Sequence, residues 1–295
     1  MLPIYDAWCV QIDITNYCYH SCLYCSRYNR HLRRDQRKHM TLQQIVTALD
    51  SLKTWPSKIG IIGGEPLLHP EFPQICELIR CKFPPSKMGL WTSGGKNFQK
   101  YLPLIQKTFG QLAYNEHNET QLKTCKHQPL TIAIKDVVKD DDLRKSLIDD
   151  CWVQRTWCAT INHFGAYFCE VAAAQDVLLN EGRNAWPVDA GWWNKVPAQF
   201  QDQVNKFCDN CGMAIPMERE LILKKTEKFS PSVLKMFEEK NCMKISDNDV
   251  ELFPYQFTKE DILKNIETWT PGNYRGDLKK DENAPEGKGF TKDIE

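Results

Sequence analysis

The 295-residue chain has a formal net charge of zero, because 38 Lys and Arg residues balance 38 Asp and Glu residues. A neutral chain carries no overall field to attract nucleic acid or an anionic membrane, so neither is expected as a partner. Hydrophobic residues make up 42% of the sequence, enough for one large core or two smaller ones. The sequence shows neither a secretory signal nor an apolar run long enough to span a membrane, so we expect a cytoplasmic protein.

Strands and helices are predicted to alternate through the first half of the chain. The alternating, β-rich residues 10–15 predict a first strand, and Thr41 is placed to cap a helix over 42–52. Further strands are predicted at 59–62, 88–92, 111–115 and 130–138, and further helices at 70–80, 98–109 and 140–149. This order is typical of βαβ units around a parallel sheet, which places its site at the carboxyl ends of the strands.

The alternation stops near residue 150. Residues 152–161 and 166–171 are predicted to form two strands of a β-hairpin, joined by a turn with Gly165. Helices are expected from about residue 198, at 232–240 and at 258–269, and the polar segment from residue 271 is expected to be a mobile tail.

Three of the thirteen cysteines, Cys18, Cys22 and Cys25, form a C-x3-C-x2-C pattern directly after the first strand. Thiolates are soft ligands that suit iron–sulfur clusters and zinc. Three thiolates can hold three corners of a four-iron cube and leave one iron open to a ligand. A structural zinc ion would need a fourth ligand, and His20 cannot easily reach the same metal. The spacing therefore favours an open [4Fe-4S] cluster over zinc.

With an aromatic residue before its last cysteine, this motif resembles the signature of radical S-adenosylmethionine (SAM) enzymes. The segment Gly63-Gly64-Glu65-Pro66 follows the second predicted strand and resembles the family's GGE segment, and Thr92-Ser93 stands where the family has Thr-Asn. Glycines let a backbone approach a ligand closely, and Glu65 can accept hydrogen bonds from the ammonium group of SAM. The resemblance implies these cofactor-binding residues: Tyr24, Gly63, Gly64, Glu65, Pro66, Thr92 and Ser93.

The resemblance also implies a fold and a mechanism. The fold is α/β, a partial (β/α)6 TIM-like barrel over residues 1–150. The cofactors are a [4Fe-4S] cluster and SAM. An external one-electron reductant such as flavodoxin or ferredoxin would reduce the cluster, SAM would be cleaved to a 5′-deoxyadenosyl radical, and the radical would take a hydrogen atom from the substrate.

A second set of cysteines follows the predicted barrel: Cys158, Cys169, Cys208 and Cys211. Two flank the predicted hairpin and two form a CxxC, which resembles the SPASM and twitch auxiliary-cluster domains. One quartet fits the single-cluster twitch type and implies a second [4Fe-4S] cluster. Cys151 is an alternative to Cys158 as the first ligand. A four-thiolate zinc site and plain buried thiols remain alternatives. The auxiliary domain would span residues 151–215, followed by a helical extension over 216–295.

Glu116 and His117 follow the fourth predicted strand and are the candidate catalytic residues, because they should reach the mouth of the site. A solvated polar loop is the alternative interpretation. The function expected is oxidation, epimerisation or rearrangement of a small polar metabolite by a radical SAM enzyme. Two alternatives stay open: modification of a ribosomal peptide, and a zinc or iron–sulfur protein without catalysis.

Overall fold

The computed structural model describes residues 1–114, 130–156, 159–217, 226–242, 250–268 and 291–293. Its strands are β1 (Cys9–Asp13), β2 (Lys58–Ile62), β3 (Met88–Thr92), β4 (Gln111–Tyr114), β5 (Thr160–Ile161), β6 (Ala166–Tyr167), β7 (Glu227–Phe229), β8 (Val250–Leu252) and β9 (Thr291–Asp293). In this part of the chain, β7 and β8 form a small parallel pair, and the other strands form one sheet in the order β6-β5-β1-β2-β3-β4-β9.

The five central strands of the large sheet, from β5 to β4, run parallel. Only the edge strands β6 and β9 are antiparallel to their neighbours. The carboxyl ends of β1, β2, β3 and β4 therefore lie along one edge, together with the end of β5. The protein has an α/β fold with a mostly parallel central sheet, and this carboxyl edge is where such sheets bind their ligands.

Helices cover the connections between the strands. They are α1 (Leu42–Ser51), α2 (Phe72–Lys82), α3 (Phe98–Thr108), α4 (Ile134–Val137), α5 (Asp141–Asp149), α6 (Trp152–Thr156), α7 (Glu170–Asn180), α8 (Gln201–Phe207), α9 (Pro231–Glu239) and α10 (Lys259–Thr268). The helix predicted over 42–52 is confirmed, with Thr41 and Gln44 forming a capping box. Its apolar face, with Ile45 and Leu49, is completely buried. The first four predicted strands are also confirmed within two residues at each end.

The strand predicted over residues 130–138 is wrong. This segment forms a turn followed by the short helix α4. Its backbone is held by residues far along the chain: Thr131 O accepts from Ser230 N at 3.1 Å, and Ala133 N donates to Ser230 Oγ at 2.8 Å. The segment is buried, as its continuous apolar run indicates, but such a run does not distinguish a strand from other buried backbone.

The predicted hairpin is correct only at its centre. Strands β5 and β6 pair antiparallel around the expected turn, but residues 152–156 form helix α6, and α7 begins at Glu170. Helix α7 was not predicted, although its run of three alanines, Ala172–Ala174 in the middle of an apolar segment, favours a helix. The hairpin extends the central sheet, because β5 pairs with β1. The domain boundaries at residues 150 and 215 stay a prediction.

The predicted helices near the end of the chain correspond to α9 and α10. Most of the expected mobile tail lies outside the described residues; within it, Thr291–Asp293 pair with β4. Among the described helices, none is long and apolar enough to cross a membrane.

Candidate functional site

The three-cysteine loop, which contains Cys18, Cys22 and Cys25, leaves the sheet at the end of β1. Its first residues run beside the segment that follows β2. Gly64 N donates to Thr15 O at 2.6 Å and Glu65 N donates to Tyr17 O at 2.7 Å. A Cβ atom on Gly63 would collide with Thr15 O, and one on Gly64 would collide with Tyr17 O. The two glycines are therefore required for the close approach of two backbones, which positions the cysteine loop on the carboxyl edge.

Cys18, Cys22 and Cys25 form no disulfide bond and are partly exposed. Burial, together with the nearby charge of Cys25, raises the pKa of the Cys18 thiol to about 12. His20 N donates to Cys18 Sγ at 3.3 Å. Burial also raises the pKa of Cys25, against hydrogen bonds from the backbone N–H groups of Asn29 and Arg27. Backbone N–H groups that point to sulfur stabilise metal-bound thiolates, so the loop suits a cluster.

No three His, Cys, Asp or Glu side chains in the described residues are placed to hold a single metal ion. A four-iron cluster does not need such a convergence, because each thiolate binds its own iron atom. The loop supplies three soft thiolate ligands within eight residues, from Cys18 to Cys25. These residues fit a cluster with one iron left open.

The carboxylate of Glu65 is fully buried and accepts four hydrogen bonds. Oε1 accepts from Thr92 Oγ1 at 2.6 Å and from Leu67 N at 3.1 Å. Oε2 accepts from Ser93 N at 2.8 Å and from Ser93 Oγ at 2.5 Å. Burial raises the pKa of Glu65, and these hydrogen bonds oppose the shift. An ionised carboxylate has about four acceptor sites; all are used, so Glu65 fixes the end of β3 beside Gly63–Gly64.

The other expected SAM-binding residues lie in two places. Pro66 begins the 3-10 helix Pro66–Leu68 directly after Glu65. Tyr24 is buried inside the cysteine loop with a positive φ of 52°. Its N–H donates to Glu227 Oε1 at 3.1 Å, and its hydroxyl oxygen accepts from Lys228 N at 2.8 Å. Tyr24 thus connects the loop to β7. Its role in binding SAM stays a prediction.

A second group of cysteines lines a mostly apolar cavity. The four thiols come from three parts of the chain: Cys151, Cys169, Cys208 and Cys211. Burial raises the pKa of Cys208, and the charges of the other three cysteines raise it further. Burial likewise raises the pKa of Cys169 to about 12, with Cys151 as the nearest charge. Met213 N donates to Cys211 Sγ at 3.4 Å. We call this the cysteine cavity.

Cys158, which the sequence analysis preferred as the first ligand of the second site, lies outside the described residues. The candidate catalytic residues Glu116 and His117 also lie outside them. The structure brings Cys169, Cys208 and Cys211 together as expected, and it adds Cys151, the alternative that the sequence left open. In the sequence, the only indication that Cys151 belongs to this site was its position near the predicted hairpin.

A polar cluster that the sequence analysis missed lies at the end of β1. The guanidinium of Arg27 contacts Asp13 Oδ2 at 3.6 Å and Glu170 Oε2 at 2.9 Å, and it donates to Gln11 Oε1. Glu170 is buried rather than exposed at the surface. Burial raises the pKa of Asp13 to about 6, although Arg27 lowers it. A carboxylate at the carboxyl end of a strand was the sequence signal for this cluster.

Residues 12–109 match the model of the radical SAM superfamily. The matched segment is similar to radical SAM domains. It covers about a third of the chain and contains the three-cysteine loop, Gly63–Gly64–Glu65 and Thr92–Ser93. The matched segment thus includes the part of the carboxyl edge described above. No curated protein matches the chain.

Two solved structures of BtrN overlap with the chain. BtrN in complex with AdoMet and 2-DOIA gives a TM-score of 0.45 at 16% identity, covering 70% of this chain and 92% of that one. An open conformation of selenomethionine BtrN gives a TM-score of 0.43 at 13% identity, covering 70% and 87%.

Proposed function

We propose that the protein is a radical SAM enzyme that acts on a small polar metabolite. The observation that carries the proposal is the three-cysteine loop, held against Gly63–Gly64 at the carboxyl edge within the segment that matches the family. The central sheet would be the inner wall of a partial (β/α)6 barrel. Cys18, Cys22 and Cys25 would hold a [4Fe-4S] cluster, and SAM would bind at its open iron. Together the cluster and SAM would supply the radical chemistry that removes a hydrogen atom from the substrate.

The chain's own residues would orient SAM through the backbone. Gly63 and Gly64 leave no room for side chains, and Glu65 already accepts four hydrogen bonds. The carbonyl groups of this segment are therefore the best acceptors for the ammonium group of SAM. Glu65 would act by positioning Thr92 and Ser93, whose hydroxyl groups both donate to it. This is a narrower role for Glu65 than the sequence motif implies.

The cysteine cavity would hold the second [4Fe-4S] cluster on Cys151, Cys169, Cys208 and Cys211. Four thiols in a mostly apolar cavity are costly when charged, and a bound metal centre removes that cost. Four ligands would leave no iron open, so this cluster would carry electrons rather than bind SAM.

Anaerobic reconstitution tests the proposal. We expect about eight iron atoms per chain, absorption near 400 nm, and release of 5′-deoxyadenosine from SAM under reduction by dithionite or by a flavodoxin or ferredoxin. Zinc in place of iron, or no cleavage of SAM, would contradict an enzyme and support a non-catalytic metal protein. Small polar metabolites should stimulate 5′-deoxyadenosine release; stimulation by peptides alone would favour the peptide-modifying alternative.

A further inference from the structure

The buried carboxylate of Glu227 lies on β7, outside the segment that matches the family, and it contacts the three-cysteine loop and the residues that follow it. Oε1 accepts from Tyr24 N at 3.1 Å. Oε2 contacts His31 Nε2 at 2.9 Å and Arg30 Nε at 3.4 Å. Only 1% of Glu227 is exposed. One carboxylate thus joins three residues of the stretch that carries the first group of cysteines.

The backbone next to Glu227 holds the same tyrosine a second time. Lys228 N donates to the hydroxyl oxygen of Tyr24 at 2.8 Å, so β7 fixes both the backbone and the side chain of Tyr24. Tyr24 has a φ of 52°, in the left-handed region that a tyrosine rarely adopts. Such a backbone persists only where surrounding contacts hold it. The two hydrogen bonds to β7 are contacts of this kind.

The partners of Glu227 are themselves fixed in place. The imidazole of His31 packs against Phe229 and Phe237, with ring centroids 5.6 and 5.1 Å away. The side chains of Arg30 and His31 are almost fully buried. An ion pair at the surface is mobile and contributes little, whereas the loss of one partner from a buried pair is strongly destabilising. The contacts of Glu227 therefore constrain the loop rather than decorate it.

Glu227 also brings a negative charge close to a cluster ligand. Tyr24 directly precedes Cys25, so Glu227 Oε1 lies within about 9 Å of the Cα atom of Cys25. Burial raises the pKa of Cys25, and the charge of Glu227 contributes to the shift. The reduction potential of an iron–sulfur cluster depends on the charges and hydrogen bonds around it. Glu227 is thus close enough to act on a cluster that Cys25 holds.

We propose that Glu227 is a positioning residue of the first site, which holds Tyr24 and the neighbouring Cys25 in the conformation that binds the cluster, while its charge favours the oxidised cluster. This role rests on the proposed function. Glu227 acts through the three-cysteine loop and not by contact with SAM or substrate. Residues more than 100 positions beyond the matched segment 12–109 would therefore take part in the first site.

The first test labels the metal-free, full-length protein with iodoacetamide and measures each cysteine by mass spectrometry. We expect Glu227→Ala to speed labelling of Cys25 by about tenfold or more, because the loop loses a buried hydrogen bond to a charged group. Glu227→Gln keeps an amide oxygen that can accept from Tyr24 N, so its rate should stay close to that of the unmodified protein. Cys81, exposed on α2, is the internal reference and should react equally in every variant.

The second test separates the charge of Glu227 from its shape. The midpoint potential of the first cluster is measured at pH 8.5 in the reconstituted protein, through the part of the electron paramagnetic resonance signal that changes when SAM is added. Glu227→Gln should favour the reduced cluster by about tenfold, a shift of about 59 mV for one electron, because a nearby negative charge is removed. A carboxylate with a merely structural role would leave the potential unchanged.

Glu239→Gln is the matched control, because Glu239 is exposed at the end of α9 and pairs with Lys235 at 3.9 Å. It should change neither the labelling of Cys25 nor the potential. Thermal unfolding checks that each variant folds, and Glu227→Gln alone decides if Glu227→Ala does not fold.

The positioning role is overturned if Glu227→Ala labels Cys25 at the unmodified rate, if Cys81 accelerates as much as Cys25, or if Glu227→Gln leaves the potential unchanged. The expected labelling pattern in a protein that assembles no SAM-cleaving cluster would contradict the radical SAM function instead. In that case Glu227 would remain the residue that holds the loop.

Discussion

The three-cysteine loop and the cysteine cavity use the same ligand in opposite settings. In the loop, three thiols lie within eight residues and are partly exposed. In the cavity, four thiols come from three separate parts of the chain and line an apolar space. Both sites have a cysteine whose sulfur accepts from the backbone N–H two residues later, Cys18 from His20 and Cys211 from Met213.

This difference in setting suits two different tasks. A partly exposed site with three ligands leaves room for a fourth, exchangeable ligand such as SAM. A site with four ligands would leave no iron open to an exchangeable ligand, which suits electron transfer. The three-cysteine loop can be recognised from the spacing of its cysteines in the sequence. The cysteine cavity cannot, because its cysteines come together only when α7 packs beside α8.

Replacing Cys22 with Ala should have the largest effect, because the three-cysteine loop then keeps too few ligands for its cluster. We expect iron to fall from about eight to about four atoms per chain, and reductive SAM cleavage to fall to background. Iron analysis and chromatography of 5′-deoxyadenosine measure the two effects. Cys81→Ala, at an exposed cysteine of α2, should change neither. Retained cleavage in Cys22→Ala would show that SAM is activated elsewhere.

Cys151→Ala tests the cavity and separates the two candidate first ligands. We expect the iron content to fall from about eight to about four atoms per chain, because the second cluster loses a ligand. Cys158→Ala is the matched control and should keep about eight. The reverse result, with iron lost only in Cys158→Ala, would show that Cys158 is the first ligand of the second site, as the sequence favoured.

Glu65→Ala should weaken the fold around the first site, because four donors lose their common acceptor in a buried position. We expect a loss of about 2–4 kcal/mol in the free energy of unfolding, measured with urea on the metal-free protein. Glu77→Gln, at an exposed position of the same connection, should differ from the unmodified protein by less than about 0.5 kcal/mol. A small effect at Glu65 would mean that its carboxylate is free to bind SAM.

Asp13→Asn, between the two sites, should stabilise the protein in a pH-dependent way. Burial raises the pKa of Asp13 to about 6 from its usual 3.8, so the folded state holds a proton that the unfolded state has lost at pH 5. Native stability therefore falls as pH rises towards and through 6. The Asn variant lacks this loss. We expect it to be more stable by on the order of 3 kcal/mol at pH 7.5 and by about half of that at pH 5.

Urea unfolding at the two pH values measures this difference, with Asp50→Asn as the control that should show no such pH dependence. An equal gain at both pH values would contradict the raised pKa of Asp13. Loss of stability at pH 7.5 would mean that the contact with Arg27 outweighs the burial of the charge.

The sequence predicted the elements that depend on local patterns. Strands β1 to β4 and helix α1 follow from alternation, helical periodicity and the Thr41 cap. The segment 130–138 could not be predicted, because its backbone hydrogen bonds go to residues near Ser230. The same limit applied to the site. The motif Gly63-Gly64-Glu65 was visible, but the saturation of Glu65 by Thr92 and Ser93 depends on how β2 and β3 align.

The cysteine cavity shows the limit most clearly. The sequence favoured Cys158 because it falls near the predicted hairpin. The hairpin consists only of β5 and β6, and this short extent could not be predicted from the sequence. Helix α7 begins where a strand was expected. As a result Cys169 lines the cysteine cavity and Glu170 contacts Arg27. Asp13 was visible as a carboxylate within the first predicted strand, but its contact with Arg27 depends on the path of the cysteine loop.

The connection between the cysteine loop and β7 has a consequence for how the protein is made. Tyr24 N and His31 both contact Glu227, some 200 residues later in the chain. At about 10 residues per second, a ribosome needs about 20 s to add that stretch. Until then the nascent loop lacks the strand that braces it. We therefore expect iron–sulfur carrier proteins to load the finished chain efficiently and to load ribosome-bound chains that stop before Glu227 poorly.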